Sequence, residues 1–163
     1  MRNIPLTEQS SVMVDDEDFE WLNLWKWSLR ESNGFSYATR HVWVNGVRTT
    51  LYMHRLILGL SKDIEVDHVD GNGLNNTRSN LRFCSRSLNM ANMKKPKTHA
   101  GKPTTSKYKG VSWCQRDKIW IVTIGKDGKY RCLGRFTNEI DAAKKYDLAA
   151  QQLFGSFARI NFY

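Results

Sequence analysis

Residues 94–107 read KKPKTHAGKPTTSK, with two prolines, one glycine, five lysines and no large apolar side chain. Proline and glycine interrupt regular structure and the lysines repel one another, so this stretch predicts a solvated, basic linker. A chain of 163 residues divided in this way holds two small modules. With 40% hydrophobic and 12% aromatic residues, the chain has enough apolar material to pack cores and lacks the composition of a disordered tail. The expected domains are residues 1–93 and 108–163, joined by 94–107.

Lysine and arginine number 25 against 16 aspartates and glutamates, a net charge of +9. The charge is uneven: −1 over residues 1–60, +4 over 61–103 and +6 over 104–163. Such a balance favours a polyanionic partner. No apolar run approaches the roughly 18–20 residues of a membrane span, and the first twenty residues are too polar and acidic for a secretory signal. The expectation is a cytoplasmic, DNA-associated protein that is not secreted and touches no membrane. Cys84, Cys114 and Cys132 form no C-x-x-C pair, so neither a disulfide framework nor a zinc finger is indicated; reduced, core or half-buried thiols are expected.

In the first module, residues 12–14 read as a short strand. Asp15, Asp16 and Glu17 then place carboxylates where a helix N-terminus favours them, in a helix through Phe19 and Leu22. Residues 25–29, 37–44 and 49–53 are strand-like, and Asn45-Gly46 is a strong hairpin signal. A short helix is expected at 54–60. Residues 64–93 then follow a strand, polar loop, strand, helix order, with the second strand at 81–84 and the helix from about Ser85.

That segment carries a constellation suited to phosphodiester hydrolysis, which needs an activated water and neutralisation of developing charge on phosphate. Asp67 and Asn89 offer a carboxylate and an amide oxygen, donors suited to magnesium or manganese. His68, with an ordinary pKa near about 6.5, is a candidate general base. Asn80 is placed to hydrogen-bond across the loop and hold the His68 region. Taken singly, each residue equally fits a structural role: asparagines suit loops, and a helix asparagine is often simply exposed.

Together, MHRLILGL (53–60) and VDHVDGNGLNNTRSNLRFCSRSLNMAN (66–92), with twelve residues from His68 to Asn80 and nine from Asn80 to Asn89, resemble the HNH endonuclease family. The resemblance is to the subgroup with Asp-His, Asn and Asn at its signature positions, strongest over 50–95. It implies a ββα-metal fold in which His68 activates water, Asp67 and Asn89 bind one divalent ion, most simply Mg2+, and Asn80 supports the loop. Asn89 at the third motif position brings the match nearer to phage and intron-type nicking homing endonucleases than to zinc-containing bacterial toxins. His54 and Arg55 open a helix as in the same subgroup, with Arg55 a candidate phosphate contact; His54 equally suits a buried hydrogen-bonded position. Nothing marks His41 or His99.

The second module alternates apolar and polar residues at 108–113, 120–124 and 130–136, with turns at 116–118 and 126–129. Asn138 can cap a helix bearing Ile140, Ala143, Tyr146 and Leu153, and Gly155 can end it. The predicted fold is α+β: a β-rich N-terminal segment, the ββα motif, then three antiparallel strands on one helix. A twisted three-stranded sheet can enter a major groove, with arginines reading bases and lysines neutralising phosphates. Lys109, Ser112, Trp113, Arg116, Lys118, Trp120, Arg131 and Arg135 are the candidate DNA contacts; for the tryptophans, core packing against the helix is an equal alternative. SKYKGVSW (106–113), YRCLGRF (130–136) and DAAKKYDLAAQQLFG (141–155) resemble the Apetala-two, or ethylene-response-factor, DNA-binding domain, which implies a DNA-reading sheet braced by the helix. Plant members bear arginine where this chain has Ser112, so their target sequence does not carry over.

The combined expectation is a magnesium-dependent, site-selective DNA endonuclease, nicking one strand of duplex DNA as a monomer with no obligatory protein partner. A DNA-binding regulator without turnover is the rival, and an RNA-directed protein the weaker third.

Overall fold

The structure, a computed structural model, describes every residue except Asn33, Lys62, Ala100 and Tyr163, and for His99 only the backbone. It is α+β, with small antiparallel sheets and four helices among the described residues. The chain divides into two compact units, Met1–Cys84 and Ser85–Tyr163.

The first unit begins with a ribbon of β1 (Arg2–Pro5) and β2 (Ser11–Val14). Ile4, Val12 and Val14 point into the core, and α1 (Asp16–Asn23) adds Phe19 and Leu22. Of the three carboxylates expected at its start, Asp15 is the N-cap residue and Asp16 and Glu17 lie in the first turn, where Asp18 joins them at the positive end of the helix dipole. The strand expected at 25–29 starts later. Trp27 folds back so that its indole N–H donates to the Leu22 carbonyl at 2.9 Å, and β3 spans Ser28–Ser32. β4 (Phe35–Val44) lies between β3 and β5 (Val47–Tyr52), joined to β5 through Asn45 and Gly46 at φ 49° and 76°. Both central residues have the positive φ of the tight hairpin turn that Asn-Gly favours. α2 (Met53–Ile57) buries Met53 and Ile57. β6 (Glu65–His68) then pairs with β7 (Leu81–Cys84), and a single 3-10 turn, Arg78–Asn80, leads into β7.

The second unit opens with α3 (Arg86–Asn92), capped by Ser85, whose hydroxyl accepts from the Leu88 N–H at 3.3 Å. Ala91 packs into this unit's core. The boundary between units therefore lies at Cys84/Ser85 rather than at 93/94, because the apolar side of α3 has its partners in the second core. The expected linker carries a short hairpin, β8 (Thr98–His99) with β9 (Lys102–Pro103); Ala100 of that stretch lies outside the described residues. It is also fastened at both ends. Lys95 Nζ donates to the carbonyls of Tyr108 and Val111, each at 2.7 Å, and Thr105 Oγ1 accepts from the Trp113 N–H at 2.9 Å.

β10 (Val111–Cys114), β11 (Ile119–Lys126) and β12 (Lys129–Phe136) form an antiparallel meander, with a register shift between Val122 and Thr123. α4 (Glu139–Phe154) packs on it through Ala142, Ala143, Tyr146, Ala150 and Phe154. Asn138 Oδ1 caps α4 by accepting from the N–H groups of Ile140 and Asp141 at 2.8 and 3.3 Å, and Gly155 ends it at φ 55°. A side chain at Gly110, φ 76°, would collide with the Tyr146 ring, so glycine is required there for β10 to approach α4. A short 3-10 turn, Gly155–Phe157, follows. The C-terminal tail is held by buried Asp147, which accepts from the Asn161 N–H at 2.8 Å and the Phe162 N–H at 3.0 Å.

Cys84 and Cys114 are half-buried; Cys132, expected to be the same, is exposed. Among the described residues no helix is long and apolar enough to cross a membrane.

Candidate active site

Pairing of β6 with β7 sets Asp67 opposite Arg82 and His68 opposite Leu81. Adjacent residues on a strand point to opposite faces, so the two side chains leave different sides of the ribbon. Both are buried, at 5% and 7% exposure. Arg82 donates from Nε to Asp67 Oδ2 at 2.8 Å, and its Nη2 lies 2.7 Å from the same oxygen.

His68 Nε2 stands 2.8 Å from Asn76 Oδ1. An amide oxygen only accepts, so Nε2 carries the proton and the lone pair of the neutral ring lies on Nδ1. Burial lowers the His68 pKa; the Asn76 bond and the charges of Asp70 and Asp67 act in the opposite sense without reversing it. The imidazole is therefore neutral at pH 7, the state a general base requires.

The His68 ring sits in a cluster of rings from the first unit. His54, in α2, is edge-on to it with centroids 5.1 Å apart, and Tyr37 of β4 lies 6.2 Å away. Tyr37 and Tyr52 in turn flank His54 at 5.7 and 5.6 Å. Burial foremost, with smaller electrostatic contributions from Arg55 and from His68 in its protonated form, brings the His54 pKa down to about 3. Its Nδ1 is buried and meets no partner among the described residues. Burial also raises the pKa of Tyr37, aided by Tyr52 and Asp67.

Residues 69–80 form the loop that holds Asn76 in place, and Asn80 closes it. Asn80 Oδ1 accepts from the Asp70 N–H at 3.0 Å, while its amide nitrogen donates to Asp70 Oδ1 at 3.0 Å and to the Asn75 carbonyl at 2.8 Å. The backbone closes beside it, Val69 N–H to Asn80 O at 2.9 Å. Asp70 also accepts from the Asn72 N–H and the Asn75 amide, each at 2.8 Å. Burial alone would raise the Asp70 pKa, but these donors outweigh it and hold the carboxylate below its usual range. From the outside, Met13 of β2 grips the loop, donating to the Leu74 carbonyl at 2.9 Å and accepting from the Asn76 N–H at 2.8 Å. Arg78 binds Asp18 of α1 through two bonds of 2.8 Å, and its N–H donates to Asp15 Oδ2 at 2.7 Å.

Among the expected site residues, Asp67, His68 and Asn80 lie in the first unit. Asn89 lies on α3 in the second unit, half-buried, its N–H donating to the Ser85 carbonyl at 3.0 Å. Among the described residues no group of three or more His, Cys, Asp and Glu side chains converges. The expected donors are of another kind, one carboxylate and one amide oxygen, a set that suits a hard cation keeping several waters. Arg55 Nη1 donates to the Ser61 carbonyl at 2.7 Å, at the end of its own helix turn. Sequence reasoning missed Asn76, Asp70 and Tyr37. The doublet Asn75-Asn76 was the available signal, but it equally describes a turn.

In the second unit the expected DNA contacts do not share one face. Val111, Val122 and Ile124 face α4, and strand alternation puts Trp113 and Trp120 on that same side, their rings 4.8 Å apart. Trp120 packs on the core, so core packing describes it better than base contact. Ser112, paired with Ile121, and Arg135, also paired with Ile121, lie on the opposite face. Arg131 pairs with core-facing Ile124 yet is exposed. Arg116 and Lys118 are exposed in the β10–β11 turn, Arg116 bonded to Asp117 at 2.7 Å. Lys109 points inward: its ammonium donates to the carbonyls of Met90, Ala91 and Met93 at 3.2, 2.5 and 2.7 Å. Burial brings its pKa down to about 8, with Arg159 adding to the effect. A lysine at the end of α3 complements the orphan carbonyls there, so Lys109 is a helix C-cap rather than a phosphate contact.

No family model matches the chain. It is 35% identical over 117 residues to a protein of Acanthamoeba polyphaga mimivirus named "Uncharacterized HNH endonuclease L560", a match covering 68% of this chain and 57% of that protein. It is 33% identical over 100 residues to Protein 3.8 of Escherichia phage T7, covering 61% of this chain and 78% of the phage protein. The chain thus spans little more than half the length of the mimivirus relative, and most of the phage one. By the extent of the phage match, the chain belongs to the family of phage T7 Protein 3.8.

Proposed function

We propose that the chain is a metal-dependent, site-selective DNA endonuclease that hydrolyses a phosphodiester and nicks one strand as a monomer inside a bacterial or virus-infected cell. The observation that carries this reading is the His68–Asn76 bond: a neutral imidazole with a defined tautomer, next to buried Asp67 on the first strand of a strand-loop-strand segment. The name of the mimivirus relative supports it independently.

In this reading His68 Nδ1 takes the proton of the attacking water, and Asn76 and the ring cluster of Tyr37 and His54 keep the imidazole in place. Asn80 and Asp70 keep the loop closed beneath it. Asp67 and Asn89 would hold one Mg2+ or Mn2+. Bound there, the ion supplies charge stabilisation for the phosphorane and the departing 3′ oxygen. The second unit, with 16 basic and five acidic residues, would bind the duplex, Ser112 and Arg135 on its open face and Arg116, Lys118 and Arg131 along its edges.

The competing reading, a DNA-binding regulator without turnover, draws on the burial of Asp67 and its ion pair with Arg82. Supercoiled plasmid separates the two. Open circles formed by the wild type with magnesium, and not with chelator or by His68→Ala, support the endonuclease. If neither protein cuts while both shift the same duplex, the regulator reading takes over.

A further inference from the structure

The first unit carries nine lysines and arginines against eleven aspartates and glutamates, a net charge of −2. A polyanion can therefore approach it only where the carboxylates are absent. The register of the three-stranded sheet identifies such a place. Residues directly opposite on antiparallel strands share a face, and the pairs Arg30↔Tyr37, Thr39↔Tyr52, His41↔Thr50 and Trp43↔Arg48 are all on one side. Two contacts corroborate it: Tyr37 and Tyr52 meet edge to face at 5.9 Å, and His41 Nδ1 lies 3.2 Å from Thr50 Oγ1. That face has no aspartate or glutamate; Glu31 points the other way, opposite Ser36. At its inner end Tyr37 and Tyr52 touch the ring cluster of His54 and His68. At its outer end stand exposed Arg48 and Trp43, the latter 74% exposed, with Arg30 exposed at its flank. Neither Arg30 nor Arg48 pairs with a carboxylate among the described residues.

We infer that this face is a docking track for duplex DNA, leading away from His68 on one side of the scissile phosphate. This rests on the endonuclease reading and assigns part of the DNA contact to the first unit. The charge pattern favours nucleic acid over a second copy of the chain, since the two arginines have no carboxylate partner among the described residues and a second copy brings a net charge of +9 rather than a row of negative charges. From Tyr37 to Trp43 the strand runs about 20 Å, the axial length of about six base pairs. Arg30 and Arg48 neutralise phosphates at the two sides of the track. Trp43 lays its indole against sugar or base edges, as exposed aromatics do on polynucleotides.

The test is binding of the full chain to a fluorescein-labelled mixed-sequence duplex of about 30 base pairs, titrated over a range of salt, for wild type, Arg30→Gln/Arg48→Gln and Trp43→Ala. The expected result is about ten-fold weaker binding for the double variant, with the slope of log affinity against log salt shallower by about two. Trp43→Ala is expected to weaken binding about three-fold or more with the slope unchanged. Thermal melts confirm that the exposed substitutions leave the fold intact. Unaltered affinity and slope in the double variant overturn the docking track, while magnesium-dependent nicking by the wild type keeps the endonuclease reading. A wild type that neither nicks plasmid nor binds the duplex overturns both.

Discussion

Asn76 Oδ1 accepts the Nε2 proton of His68 across 2.8 Å, and Asn76 itself has no exposed surface. An asparagine this deeply placed does for the imidazole what a carboxylate or a carbonyl does elsewhere: it decides which nitrogen holds the lone pair. Replacement by alanine leaves the ring without its acceptor. The expected loss in single-turnover nicking is about ten- to hundred-fold, the usual scale for a misoriented base. Asn76→Asp keeps an acceptor oxygen and should retain more activity than Asn76→Ala. Equal rates for the alanine variant and the wild type would sink the assignment.

His54 makes the first unit acid-sensitive. Its folded pKa of about 3 lies below the ordinary 6.5, so the unfolded chain takes up the proton first. The stability from keeping it neutral is complete above pH 6.5 and is lost as the pH falls towards 3, an effect on the order of a few kcal/mol. His54→Gln should therefore show a smaller drop in urea midpoint between pH 7 and pH 4 than the wild type. Parallel pH profiles for the two proteins would count against this.

A methyl group on Gly73 would collide with the Ser36 carbonyl oxygen and come within 2.9 Å of the Tyr37 ring. Neither strand backbone nor a packed tyrosine yields easily, so Gly73→Ala is expected to cost about 1–3 kcal/mol. It should also displace Tyr37 from His68. Chemical denaturation gives the first quantity, and the nicking rate reports the second.

Asp18 is a buried carboxylate, its side chain 2% exposed, whose charge is met by Arg78. Arg78→Gln strands that charge, and a loss of about 2–3 kcal/mol is expected, less than for a fully buried pair because Arg78 is 46% exposed. Asp18→Asn/Arg78→Gln removes the stranded charge and should recover part of the loss, as measured by a double-mutant cycle.

Local signals were legible where one residue type does one job. Asn45-Gly46 names its turn, Ser85 and Asn138 name helix starts, and Gly155 names a helix end. The strands β6 and β7 followed from the polar loop between apolar runs. What escaped depends on distant partners. β1 contains Pro5 and polar neighbours, and only its pairing with β2 makes it a strand. Trp25 and Trp27 look like strand residues, yet the Leu22 carbonyl draws Trp27 back to α1. Whether Trp113 and Trp120 face solvent or α4 is a matter of which side the helix covers, and alternation alone is symmetric in that choice. Lys109 resembles any surface lysine until two α3 carbonyls and that of Met93 surround it. Asn76 differs from Asn75 only by one step along a loop, and that step turns one amide towards His68 and the other towards Asp70.

Asp15 and Arg78 lie 63 residues apart, and Met13 reaches the same loop through both of its backbone groups. The loop bearing Asn76 is therefore shaped by chain synthesised long before it. During translation the early segment is already waiting when residues 69–80 emerge, and the long closure between them is the slow, entropically costly event. Loss of the first fourteen residues would leave every residue expected to do the chemistry in the chain, but would remove both backbone bonds by which Met13 holds the loop beside Asn76.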